Sequence, residues 1–123
     1  MTKKMRVRIR RVYEEARPGE DGLRVLVDGL WPRGMKKEDA HLDEWAKQIA
    51  PSSDLRKWYA HDPGRFEQFA ERYRAELAEP EAREALTALR ERAAGRTLTL
   101  LTSVKAEYLE LSHAAVLEKE LDG

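Results

Sequence analysis

The sequence predicts a small layered α/β domain in which a mainly parallel sheet of about four strands is flanked by helices. Three observations predict it. Residues 23–27 and 97–102 are short, nearly continuous apolar runs of the kind a strand buried on both faces carries. Residues 5–9 alternate apolar and basic, the period of a strand with one solvated face. Between these runs the apolar residues recur at helical spacing.

Taken in order, Met5, Val7 and Ile9 face one side of the first strand and Arg6, Arg8 and Arg10 the other. The charge suits an edge strand kept from pairing with other chains, a reading favoured over phosphate contact. Pro18, Gly19, Asp21 and Gly22 make a turn-rich connection into the buried run at 23–27, which Asp28 closes. Leu42, Trp45, Ala46 and Ile49 fit a helix or an extended segment, and periodicity alone does not separate the two. Ser52 is placed to cap a short helix carrying Leu55, Trp58 and Tyr59. Asp62 followed by Pro63 starts the next, whose stripe is Phe66, Phe69, Ala70, Tyr73 and Leu77. Pro80 opens another helix, with Ala82, Ala85, Leu86, Leu89 and Ala93 inward and Gly95 suited to end it in a left-handed conformation. After the strand at 97–102, one last helix is expected over residues 107–121, with Leu109, His113, Val116 and Leu117 near one another.

Composition bounds what such a domain can do. The 123 residues suit one domain, and 23 basic residues against 23 acidic ones give no global attraction to nucleic acid or an anionic membrane. No cysteine is present, so disulfides, thiolate nucleophiles and cysteine metal sites are excluded, and a cytoplasmic location is expected. No apolar run approaches the length of a membrane span. Neither a phosphate-binding glycine loop, a dinucleotide fingerprint nor a nucleophile-elbow serine occurs, and the histidines have no metal-ligand spacing, so no cofactor is expected.

Ligands of open parallel sheets bind beyond the carboxyl ends of the strands. Beyond residues 23–27 stand Asp28, Trp31, Pro32 and Arg33; beyond residues 97–102 stand Ser103, Lys105 and then His113, with Thr102 at the strand end itself. Arg33 and Lys105 supply charge for a carboxylate or phosphate, while Asp28 serves as a base or orients Arg33. Asp28 and His113 are the candidate proton-moving groups, and Trp31, Arg33, Ser52, Arg56, His61, Thr102, Ser103 and Lys105 the candidate ligand contacts. For each alone a structural role is the commoner outcome: a corner-packing Trp31 and Pro32, a core His113, a loop His61. Trp58 and Tyr73 suit the core better than a basic, aromatic surface shared with Arg56 and Arg72.

The stretch Val25-Leu26-Val27-Asp28-Gly29-Leu30-Trp31-Pro32-Arg33-Gly34 resembles a known family, together with Trp45, Ala50-Pro51-Ser52, Leu55-Arg56-Lys57-Trp58, His61-Asp62-Pro63 and His113-Ala114-Ala115-Val116-Leu117. It is similar to the domain of unknown function 488 family, in its short, YeaO-like branch. The resemblance implies a compact α/β fold with a parallel sheet and makes residues 42–47 an extended strand. Two departures stand out. Gly29 occupies a position where the short branch typically has arginine, and Ser112-His113-Ala114 stands where longer relatives tend to carry cysteine, histidine and arginine.

The function expected from these residues is binding of, or action on, a small carboxylated or phosphorylated ligand at the strand ends. The alternative is a non-catalytic module that contacts nucleic acid or protein through Arg6, Arg8 and Arg10. A third is a stable interaction protein whose Trp31-Pro32-Arg33 loop only fixes the fold. Oligomeric state is not legible.

Overall fold

The computed structural model describes residues 5–122. Four strands, β1 (Arg6–Arg11), β2 (Leu23–Leu26), β3 (Glu44–Trp45) and β4 (Thr97–Thr102), form one sheet in the order β1-β4-β2-β3. Every pairing is parallel, with Val7 opposite Leu98, Leu23 opposite Leu98 and Leu26 opposite both Leu101 and Trp45. The helices are α1 (Pro18–Asp21), α2 (Lys37–Ala40), α3 (Ser53–Tyr59), α4 (Phe66–Leu77), α5 (Pro80–Ala93) and α6 (His113–Asp122).

Alternation along the strands sorts the two sheet faces. Leu23, Val25, Leu98 and Leu100 point into the larger core, where they meet Phe69, Tyr73, Leu86, Leu89 and Leu117 from α4, α5 and α6; Val7 and Ile9 pack against its margin. Leu26 and Leu101 point the other way, into a smaller cluster with Val12 and Ala40 that Trp31 and Trp45 cover. Both central strands are therefore buried on both faces, as their apolar runs require.

The second face also carries a buried ion cluster. Asp21 is fully buried and accepts from Arg10 Nη1 at 3.0 and 3.1 Å, from the Arg17 amide at 2.9 Å, and from Arg24 Nη1. Arg24 also donates to the carbonyls of His41 and Ala40, which ties β2 to the end of α2. Burial pushes the Asp21 carboxyl up, but the Arg17 amide and the two guanidiniums outweigh it and hold it below the usual carboxylate range. This corrects the reading of Arg10 as a solvated edge charge: β1 is the edge strand expected, yet Arg10 turns inward because α1 brings a carboxylate across its face.

Two local readings are resolved. Residues 44–45 form a strand and Lys47–Ile49 a 3-10 turn, so the segment around Trp45 is extended, in line with the resemblance. The last helix is not continuous from 107 to 121. A 3-10 stretch, Ala106–Leu111, ends at an extended Ser112, whose hydroxyl donates to the Leu109 carbonyl at 2.7 Å, and α6 starts afresh at His113. Serine competes for backbone partners in this way, and periodicity does not register the break. His113 thus stands at a helix start, not mid-helix.

Other sequence signals act as expected. The Ser52 hydroxyl caps α3 by accepting from the Leu55 amide at 3.2 Å, and Asp62 accepts from the Gly64 amide at 3.0 Å at the turn that leads into α4. Gly95 takes φ 76° after α5. Tyr73 is buried, with its hydroxyl donating to the Ile49 carbonyl, and belongs to the core. Trp58 departs from the core reading: it packs only against the core's margin and is half-buried between Arg72 and Arg65, whose guanidinium carbons lie 4.2 and 5.1 Å from ring centroids of the indole. No helix among the described residues is long and apolar enough to cross a membrane.

Candidate functional site

β2 and β4 are neighbours in register, so the segments leaving their carboxyl ends emerge side by side. Val27 extends the pairing by donating to the Leu101 carbonyl at 3.0 Å, which sets Asp28 level with Ser103. Asp28 is buried and receives four hydrogen bonds: Thr102 Oγ1 at 2.7 Å and His113 Nε2 at 2.9 Å on Oδ1, the Ser103 amide and Oγ at 2.8 Å each on Oδ2. Burial pushes this carboxyl up, but His113, the Ser103 amide and the Thr102 hydroxyl more than offset it, leaving it below the usual range.

An ionised carboxylate with all its acceptor sites taken is an anchor. Asp28 therefore does not orient Arg33, and it has no lone pair left to take a ligand proton. What it does orient is His113. Because the carboxylate only accepts, Nε2 carries the proton between them and Nδ1 is the ring's remaining polar atom.

The loop after Asp28 is held from several sides. Trp45 Nε1 donates to the Asp28 carbonyl at 2.7 Å, Trp31 Nε1 to the Met35 carbonyl at 2.7 Å, and Tyr13 Oη to the Arg33 carbonyl at 2.9 Å. The two indoles meet edge to face at 5.3 Å, Pro32 is buried, and Gly34 takes φ 77°, which a side chain would resist. Packing of this kind fixes the backbone and leaves Leu30 and Arg33 exposed.

A cavity of about 610 Å³ opens beside this loop. Asp28, Trp31, Arg33, Arg56, His61, Ser103, Lys105 and His113, all candidates from the sequence, line it. Two candidates do not. Ser52 sits at a separate depression, where its amide and hydroxyl donate to Glu76 at 2.8 and 2.6 Å, because its capping position turns it toward α4. Thr102 is buried beneath the cavity and acts through Asp28. Tyr108 was not foreseen: it lines the cavity and stacks on His61, with centroids 4.9 Å apart and planes 13° apart. The only sequence signal for it is its place three residues after Lys105, one turn of a 3-10 helix.

Arg33, Arg56 and Lys105 are exposed, and none of the three is paired with a carboxylate among the described residues. The cavity therefore collects three permanent cations against the single carboxylate of Asp28. Among the described residues no group of three acidic or histidine side chains could hold a metal ion.

Fold and site together define a small parallel α/β domain with an open, cation-lined cavity at its strand ends and a buried aspartate that anchors a histidine. The chain belongs to the family described as the inactive DUF488-N3 subclade, whose model matches residues 6–123. It is 44% identical over 123 residues to the uncharacterized protein Rv3073c of Mycobacterium tuberculosis, covering 100% of this chain and 99% of that one. It is also 44% identical over 113 residues to the uncharacterized protein YeaO of Escherichia coli, covering 92% of this chain and 94% of that one. No solved structure matches the chain.

Proposed function

We propose that this protein binds a small carboxylated or phosphorylated ligand in the cavity beyond β2 and β4, without covalent chemistry. The observation that carries the reading is the convergence on one cavity of Arg33, Arg56 and Lys105, none paired with a carboxylate among the described residues. A planar guanidinium fork and a point-charge ammonium together suit an oxyanion. The absence of cysteine and the family's description as inactive favour binding over turnover. The nucleic-acid alternative keeps only Arg6 and Arg8 on β1, since Arg10 is spent on Asp21.

A thermal-shift series with phosphorylated and carboxylated metabolites tests this. A ligand at about 100 times its Kd stabilises the folded state by about 2.7 kcal/mol, a rise of several degrees in Tm. The rise should vanish in an Arg33→Ala, Arg56→Ala double variant whose own Tm is nearly unchanged, because both side chains are exposed and make no ion pair among the described residues. Silence from every such metabolite, or a large loss of Tm in the variant alone, counts against the reading; the latter would make the loop a purely structural device.

A second reading, acid–base turnover of the bound ligand, is favoured by the 2.9 Å contact of His113 with Asp28. There Asp28 is the positioning residue and His113 the proton carrier. Consumption of a bound ligand by the native protein and not by His113→Asn would support it.

A further inference from the structure

Resting on the reading of the cavity as an oxyanion site, we infer that its ligand also carries a flat ring: a ring-bearing phosphate monoester of the mononucleotide kind. The volume is the first indication. About 610 Å³ falls in the range of drug-sized ligand sites and far exceeds what a bare oxyanion fills.

The wall is the second. His61 and Tyr108 lie nearly parallel at 4.9 Å and present a stacked aromatic pair to the cavity. Each lies within a few residues of one of the cations. Tyr108 lies in the 3-10 stretch whose N-terminal cap is Lys105, and its amide donates to the Lys105 carbonyl at 2.9 Å. His61 follows α3, the helix that bears Arg56, and takes φ 56° directly after Ala60 at φ 45°. Two consecutive non-glycine residues in left-handed backbone cost energy, and the surroundings hold them there with the imidazole against Tyr108.

Leu30 is the third. It is 62% exposed on the same cavity, and a ring seated there covers apolar surface otherwise left in water. Cations, ring faces and an aliphatic side chain lining one cavity match a ligand that is anionic at one end and aromatic at the other. Sugar phosphates and bare oxyanions satisfy only the first half.

Calorimetric titration of the full chain with inorganic phosphate, ribose 5-phosphate, phenyl phosphate, adenosine monophosphate and adenosine separates the possibilities. Phenyl phosphate and the nucleotide should bind roughly tenfold or more tightly than ribose 5-phosphate, the gain that stacking one ring supplies. Tyr108→Ala and His61→Ala should each reduce that gain and leave ribose 5-phosphate affinity unchanged, while Tyr108→Phe retains it. His61 is exposed on a loop, so its variant reports even where Tyr108→Ala folds poorly. Equal affinities for ribose 5-phosphate and the ring phosphates would overturn the ring inference and leave the oxyanion reading standing. Adenosine binding as tightly as its monophosphate, or no binding by any probe, would overturn both.

Discussion

Replacing Asp28 tests the centre of the site most directly. Asp28→Ala removes four acceptor contacts at once and strands the Thr102 hydroxyl, the Ser103 amide and hydroxyl, and His113 Nε2. Hydrogen bonds to a charged group contribute about 1.5–3 kcal/mol each, but Ser103 and His113 border the cavity, where water replaces part of the loss. The net cost should be about 3–5 kcal/mol, the size expected when a buried hydrogen-bond network loses its shared acceptor. For a chain of this length that lowers Tm by on the order of 10–20 °C.

Asp28→Asn separates charge from shape. With its amide nitrogen toward Thr102 and His113, the side chain still accepts both Ser103 bonds; the hydroxyl can rotate and a neutral His113 can accept through Nε2. The cost should drop to about 1–2 kcal/mol. The pH dependence follows from the depressed Asp28 carboxyl. A carboxylate whose folded pKa lies below its unfolded value, about 3.9, contributes fully above that value and loses the contribution as pH falls through the folded pKa. Urea denaturation at neutral pH and at successively lower values below about pH 4 should therefore show the gap between native protein and Asp28→Asn closing on acidification. A gap that is flat with pH, or an Asp28→Ala cost under about 1 kcal/mol at pH 7, would refute the anchor role.

Two glycines give opposite expectations. A Cβ at Gly22, whose φ is +61°, would stand 2.2 Å from the Thr97 backbone oxygen, so Gly22→Ala should cost about 3 kcal/mol or more in urea denaturation; a loss under about 1 kcal/mol would mean the β2 and β4 starts are not held this closely. A Cβ at Gly29 meets only Ala50 Cβ at 3.7 Å, an ordinary contact. Gly29→Arg should leave stability within about 0.5 kcal/mol and tighten phosphate binding several-fold by adding a fourth cation to the cavity. Unchanged affinity at low ionic strength would argue that the cavity does not select oxyanions.

Much of the architecture was legible because it is written in short-range patterns. The apolar runs at β2 and β4, the alternation of β1, Ser52 and Asp62 as caps, Pro63 and Pro80 at helix starts and Gly95 at a helix end each act within a few residues of themselves. The parallel sheet in turn pointed to the strand carboxyl ends, and most of the candidates there share one cavity.

Tertiary structure alone decided what those side chains touch. Arg10 and Arg24 look like a solvated edge charge and an interruption of an apolar run; only the packing of α1 across the sheet brings Asp21 between them. Ser52 faces Glu76, 24 residues away, and Asp28 faces His113, 85 residues away, so neither role could be read from local spacing. Ser112 breaks the last helix by bonding to its own backbone neighbours, which leaves the apolar period intact while moving His113 to a helix start. Strand and helix identity at β1, β2, β4, α4 and α5 follows from local pattern along the chain. Which polar group satisfies which is set by chain crossings far apart in sequence, and at this site those crossings turn a suggestive loop after β2 into an anchored histidine beside three cations.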